Sequence, residues 1–189
     1  MSRQVDLETF ERLTKNLVPY DPPSKGLRFA SVSMIVRDRT SPSVLLIRRA
    51  DHPGDPWSGQ IAFPGGKMQP EDRTARDTAV RETLEEVGVD LDRSARFLGY
   101  GAVTTTHTGS MDVVPSVFEL KEGVVIRPND EVASYRWVYL EDLLSPEARS
   151  TYRFNFQGKP VEMPAFVAGD YVVWGLTHRI LTSMMDGPS

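Results

Sequence analysis

The sequence contains no cysteine, which excludes disulfides, thiolate nucleophiles, zinc fingers and iron–sulfur ligation. Histidine is scarce: His52, His107 and His178 lie far apart, so any metal must rest on oxygen ligands or on these three. No apolar run approaches the roughly 18 residues that a membrane-spanning helix needs. The N-terminal MSRQVDLETFERL alternates charged and apolar residues and lacks the apolar stretch of a secretory signal. Positive charge is not in excess, with 22 Lys plus Arg against 26 Asp plus Glu and a net charge of −4. That balance argues against a broad nucleic-acid face and against a polybasic membrane surface. It leaves room for an anionic small molecule, provided a local group or a metal ion supplies the positive charge. A soluble, cytoplasmic protein with neither nucleic acid nor membrane as partner is the expectation.

What the chain does have is ordinary globular material: 189 residues, 40% hydrophobic and 25% charged, enough for one domain with a short extra element. Val5, Leu7, Phe10, Leu13 and Leu17 recur at near-helical spacing, so residues 5–17 read as an amphipathic helix. Pro19, Pro22 and Pro23 end it in a linker, which places the domain boundary at residues 24/25. That helix either packs on the domain or joins a homodimer interface. Leu27–Arg37 and Ser43–Arg48 read as a hairpin around Asp38-Arg39-Thr40-Ser41-Pro42. Two prolines and two glycines keep residues 51–60 irregular, and Ile61–Phe63 is a short strand leading to Pro64-Gly65-Gly66. Residues 74–87 read as a helix capped by Gly88. Strands are expected at 96–105, 112–120, 134–139 and 161–167, and a helix over Tyr171–Met185. Mixed strands with a few helices give an α+β fold with a layered core.

The helix at 74–87 carries the chemistry. At about 100° per residue, Val80, Leu84 and Val87 share one face, predicted to point inward, and Glu82, Glu85 and Glu86 share the other. Like-charged i, i+4 pairs cost roughly 0.2–0.5 kcal/mol. A solvated Glu-rich face tolerates that cost, whereas a hard divalent cation turns the repulsion into attraction. Arg81 sits one turn before Glu85 and is placed to orient it as an ion pair. The consecutive glycines let the backbone bend closely, so a carbonyl at Gly66 can face the same metal.

Gly66, Asp72, Arg81-Glu82, Glu85-Glu86 and Gly88-Val89 resemble the Nudix box, G-x5-E-x7-R-E-U-x-E-E-x-G-U with U a bulky aliphatic residue. The chain departs from that pattern in three ways: Asp72 replaces the first acid, one extra residue separates it from Arg81, and Thr83 holds the aliphatic position. The resemblance implies an α/β/α sandwich with a central mixed sheet and a loop–helix–loop that binds Mg²⁺ or Mn²⁺. It also implies hydrolysis of a nucleoside diphosphate linked to another moiety. The longer box, together with Leu45–Ala50, Ser58–Gly66, Val113-Val114-Pro115, Asn129–Ala133 and Trp174-Gly175-Leu176-Thr177, is similar to the coenzyme A pyrophosphatase branch of the family. That branch carries an arginine where this chain has Gly54-Asp55-Pro56-Trp57. Similarity to the branch implies cleavage of coenzyme A or an acyl derivative to 3′,5′-ADP and a phosphopantetheine. A nucleoside triphosphate, ADP-ribose or a dinucleotide as substrate, or a binding module that has lost catalysis, are the alternatives.

Under this reading Glu82, Glu85 and Glu86, with Gly66, hold the metal, and Glu82 or Glu131 takes the proton of the attacking water, unless Glu131 serves as an extra metal ligand. Arg48 and Arg49 leave a strand end on opposite sides, where one grips a substrate phosphate or both make surface ion pairs. Trp57 either stacks on an adenine or caps the core. His107 is a titratable or simply solvated loop residue, and Trp174 is assigned to packing.

Overall fold

The computed structural model describes residues 7–19, 28–54, 57–107, 109–156 and 158–186. Positions 5 and 6 of the expected first helix, the linker prolines Pro22 and Pro23, and Asp55-Pro56 lie outside them. In chain order the elements are α1 (Leu7–Lys15), β1 (Phe29–Arg37), β2 (Ser43–Arg49), β3 (Ile61–Ala62), β4 (Gly65–Lys67), α2 (Ala75–Val87), α3 (Leu91–Ser94) and β5 (Ala95–Tyr100). There follow β6 (Thr104–Thr105), β7 (Asp112–Leu120), β8 (Val132–Tyr139), α4 (Leu140–Leu144), β9 (Arg149–Phe156), β10 (Lys159–Ala168), β11 (Tyr171–Trp174) and α5 (Gly175–Asp186).

The main sheet runs β3-β2-β1-β7-β5, with β4 on β1, β6 on β7 and β8 on β2; β11-β10-β9 form a second, antiparallel sheet. β1 and β7 are parallel from Phe29 opposite Asp112 to Val36 opposite Glu119, while the other pairs are antiparallel, so the sheet is mixed as expected. The central strands are buried along most of their length, Ser31, Ser33 and Ser116 included, because both faces are covered. Met34, Val36, Val44 and Leu46 point into a layer with Phe10 and Leu13 of α1 and Ile180, Leu181 and Met184 of α5. Ile35, Leu45 and Ile47 point the other way, toward Ala79 and Val87 of α2 and Leu91 of α3. The result is a helix–sheet–helix sandwich, with α1 packed on the domain. No helix among the described residues is long and apolar enough to cross a membrane.

The 38–42 hairpin forms with Val36 opposite Val44, and its Asp38 carboxylate accepts from the Thr40 and Ser41 amides. Three expectations change. The run 96–105 is interrupted between Tyr100 and Thr104, where Gly101 instead donates its amide to Pro115. Tyr171–Trp174 is a strand paired with Ala165–Ala168, and the helix starts only at Gly175. The buried stripe of α2 is Ala75, Ala79, Thr83 and Val87, whereas Leu84 is 50% exposed. Small side chains at four-residue spacing let α2 sit close on β1, and this rotates the larger Leu84 out to solvent.

Candidate active site

Thr74 caps α2 by accepting from the Asp77 amide, and Gly88 ends it in the left-handed conformation at φ 69° with its amide on Leu84 O. The last carbonyls of the helix are taken from outside, Val87 O by the Arg127 amide and Glu86 O by the Asn129 amide. Asn129 also accepts from the Glu131 amide at 2.9 Å, and Glu131 O accepts from the Ala50 amide at 2.8 Å. Glu131 is thereby fixed between the end of α2 and the end of β2.

The Gly65–Gly66 strand lies against the acidic face of the helix. Glu86 is 3% exposed, and its Oε2 accepts from the Gly65 amide at 2.9 Å. A Cβ at Gly66 would sit 2.4 Å from the Glu82 carboxyl carbon, so only glycine allows this approach. Burial pushes the Glu86 carboxyl up to about 7, reinforced by the charges of Glu82 and Glu131 and opposed by the Gly65 amide and by Arg49. Burial also raises Glu82, against its bond to Arg81 and with help from the charges of Glu85 and Glu131. Glu82, Glu86 and Glu131 therefore repel one another across a partly desolvated site. Glu85 has its side chain 54% exposed at the rim.

Arg81 reaches further than a single ion pair. Its Nη1 donates to Glu82 at 2.8 Å and to Glu85 at 3.4 Å, so the shorter contact goes to Glu82. Its Nε and Nη2 grip the two oxygens of Asp72 at 3.2 and 2.9 Å, and Nη2 also donates to Lys67 O at 3.0 Å. Asp72 further accepts from the Thr78 hydroxyl and the Gln69 amide. Burial works to raise the Asp72 carboxyl, but these bonds outweigh it and hold it below the usual carboxylate range. Asp72 is thus the anchor of Arg81, a role its place in the box does not by itself reveal.

The two arginines at the end of β2 diverge. Arg49 is close enough for its charge to pull on Glu86, whereas Arg48 donates to Asp170 O and Oδ2, both at 2.9 Å, and lies over the Tyr171 ring. The structure brings Arg49 to the carboxylates and commits Arg48 to the small sheet. Trp57 is 53% exposed. His107 is exposed, and Trp174 stacks on Tyr152 with ring centroids 4.4 Å apart.

The donor set suits a hard divalent cation, since mutually repelling carboxylates beside a glycine turn are relieved by positive charge. Among the described residues, no group of three or more Asp, Glu, His or Cys side chains is placed so that it could hold a metal ion by itself. A cation here would therefore depend on water and backbone oxygen for further ligands, as is usual for Mg²⁺. Two clefts of about 340 and 400 Å³, beside Arg136 and beside His178, are lined by residues other than these carboxylates.

Residues 27–156 match the NUDIX domain family model. The chain is 32% identical to a Yersinia pestis protein named Uncharacterized Nudix hydrolase NudL, over 82% of this chain and 76% of that one. It is 34% identical to an uncharacterized protein of Schizosaccharomyces pombe, over 82% of this chain and 54% of the relative, so it spans about half of that protein's length. Among solved structures, a C. elegans Ap4A hydrolase in a binary complex superposes with a TM-score of 0.51 at 19% identity, over 60% of this chain and 81% of that one. A MutT/nudix family protein from Enterococcus faecalis gives a TM-score of 0.51 at 19% identity, over 85% and 61%. At such identities the two structures speak for the fold alone.

Proposed function

This chain belongs to the Nudix hydrolase family, and on that premise we propose that it cleaves the diphosphate linkage of coenzyme A or an acyl-coenzyme A, with Mg²⁺ or Mn²⁺, giving 3′,5′-ADP and a phosphopantetheine. One observation carries the substrate reading: segments that resemble the coenzyme A branch converge on the acidic helix. The Arg49 amide donates to Gln60 O and the Gly59 amide to Arg49 O, which joins Arg48–Ala50 to Ser58–Gln60. The Ala50 amide on Glu131 O adds the Asn129–Glu131 segment, itself bonded to Glu86 O. Thr177 donates to Ile61 O at 3.0 Å and ties in the Trp174–Thr177 segment.

Glu82 and Glu86, with Glu85 and Gly66 at the rim, hold the cation, which when bound neutralises the diphosphate and lowers the pKa of water. Arg81 keeps Glu82 aimed across the site while Asp72 holds Arg81 in place. Because Glu82 is engaged by Arg81, the proton of the attacking water goes to Glu131, which is exposed and has its backbone fixed at both ends. Arg49 meets the substrate's negative charge, its planar fork suited to a phosphate. Trp57 offers a solvent-facing ring for the adenine.

A site that binds the 3′-phosphate leaves donors unpaired when that phosphate is missing. The expected result is a clear preference in kcat/KM for coenzyme A over dephospho-coenzyme A and ADP-ribose, which shrinks in Arg49→Ala and persists in Arg48→Ala. Mass analysis of the products in water enriched in heavy oxygen identifies the attacked phosphorus. Equal rates on all three substrates would leave a generic diphosphate site, and no hydrolysis of any would leave a binding module. Glu131→Gln should lower kcat by about 10²–10⁴-fold with little change in KM; a wild-type rate returns the base role to Glu82.

A further inference from the structure

Ser33 touches both walls of the acid site. Its backbone amide donates to Pro64 O at 2.7 Å, fixing the turn that enters Gly65–Gly66. Its hydroxyl donates to Ala79 O of α2 at 3.0 Å and accepts from the Thr83 hydroxyl at 2.7 Å. Ser33 and Thr83 are both fully buried, at 0% exposure. A buried hydroxyl is costly unless bonded, and here each donor finds one acceptor, in a single chain from Thr83 through Ser33 to the helix backbone. Thr83 stands where the Nudix box has a bulky aliphatic residue, so this polar pair is a departure of this chain from the pattern. It also stands between Glu82 and Glu86. Both carboxylates pack tightly on the glycine turn, through the Gly65 amide at 2.9 Å and the close approach of Gly66.

We propose that Ser33 and Thr83 are positioning residues whose hydroxyl pair sets the spacing between α2 and the Gly65–Gly66 turn, and thereby the placement of Glu82 and Glu86 toward a divalent cation. The inference rests on the metal-holding reading given above. Valine at position 83 nearly matches threonine in volume and keeps the apolar contacts, but it cannot donate to Ser33. Serine keeps the donor and loses the methyl.

The test compares Thr83→Val, Thr83→Ser, Ser33→Ala and the Ser33→Ala/Thr83→Val double variant by two readouts without substrate. One is hydrogen exchange of the Gly65 amide in metal-free protein, referenced to amides of the β1–β7 pairing. The other is Mn²⁺ binding, followed by the loss of the free-ion resonance signal. Thr83→Val and Ser33→Ala are expected to speed Gly65 exchange selectively and to weaken Mn²⁺ binding about 10-fold. Thr83→Ser should stay near wild type, and the double variant should be no worse than Thr83→Val, because the two residues act as one unit. Wild-type exchange and Mn²⁺ binding in Thr83→Val overturn the proposal. Equal losses in Thr83→Ser and Thr83→Val also overturn it, since they reduce Thr83 to a packing residue. Should Thr83→Val fail to fold, Ser33→Ala decides by the same readouts. Absence of Mn²⁺ binding in the wild type refutes the metal reading, while Gly65 exchange still decides the positioning role.

Discussion

Replacing Glu86 by glutamine is expected to lower kcat by at least about 100-fold and, in the same protein, to raise the stability of the metal-free form above pH 7. The two effects have one cause. Glu86 is 3% exposed, and burial pushes its carboxyl up to about 7 from an ordinary 4.5. A carboxyl raised on folding contributes stability that is complete below about pH 4.5 and is lost as the pH rises through 7. Metal-free wild-type protein should therefore lose on the order of 3 kcal/mol at most between those limits. The glutamine variant keeps an oxygen for the Gly65 amide, removes the buried charge and should not show that slope. Thermal unfolding from pH 4.5 to 8 in EDTA measures it. Excess Mn²⁺ should restore the wild type above pH 7 and leave the variant unmoved. Near-normal turnover at saturating Mg²⁺, or matching pH slopes for the two proteins, would sink the assignment of this helix face.

Glu86 also shows which parts of the site are legible without the fold. The limits of α2 follow from local chemistry, a Thr74 cap and a Gly88 stop, and the carboxylate spacing follows from helical period. Its rotation about its own axis does not. Weighing side chains by apolar size favours Val80 and Leu84, while the helix buries Ala75, Ala79 and Thr83, because close approach to β1 and a bond to Ser33 outweigh the burial of one leucine. The same limit explains Tyr171–Trp174. Tyr-Val-Val-Trp has strand composition, but the periodic Leu176, Ile180, Leu181 and Met184 that come after it draw a helix back across Gly175, whose φ of 62° marks the break. β9 and α4 are hard to read because neither carries a long apolar pattern: Arg149–Phe156 alternates aromatic with polar residues, and Leu140–Leu144 is barely more than one turn. Within the site, the divergence of Arg48 and Arg49 comes from strand alternation. Which of them meets the acids depends on where α2 lies.

Arg81→Ala should cost more than orientation of one glutamate. In the wild type the guanidinium joins Asp72, Glu82 and the Lys67 carbonyl, and only its longest contact, 3.4 Å, goes to Glu85. Alanine leaves the Asp72 side chain, 6% exposed, without its cation. Breaking a buried pair from one side typically costs about 3–5 kcal/mol. The low end is expected here, because Thr78 and the Gln69 amide still bond Asp72, each at 2.9 Å. The pH dependence carries a sign. In the wild type, Asp72 titrates below its ordinary 3.8, so its contribution is present above that value and is lost as the pH falls through its depressed pKa. Without Arg81 the burial that already works to raise Asp72 is opposed only by the two remaining bonds, so the acid-side loss should shrink. Adding Asp72→Asn to Arg81→Ala should recover much of the stability and none of the rate, which separates the fold's need for the pair from the reaction's need for Glu82. Kinetically, kcat should fall about 10–100-fold with a smaller rise in KM, because the guanidinium is bonded to Asp72, Glu82 and the Lys67 carbonyl and is proposed to act through Glu82. A KM that rises more than kcat falls would put the guanidinium on the diphosphate itself and leave Glu82 to be held by the Gly66 turn alone.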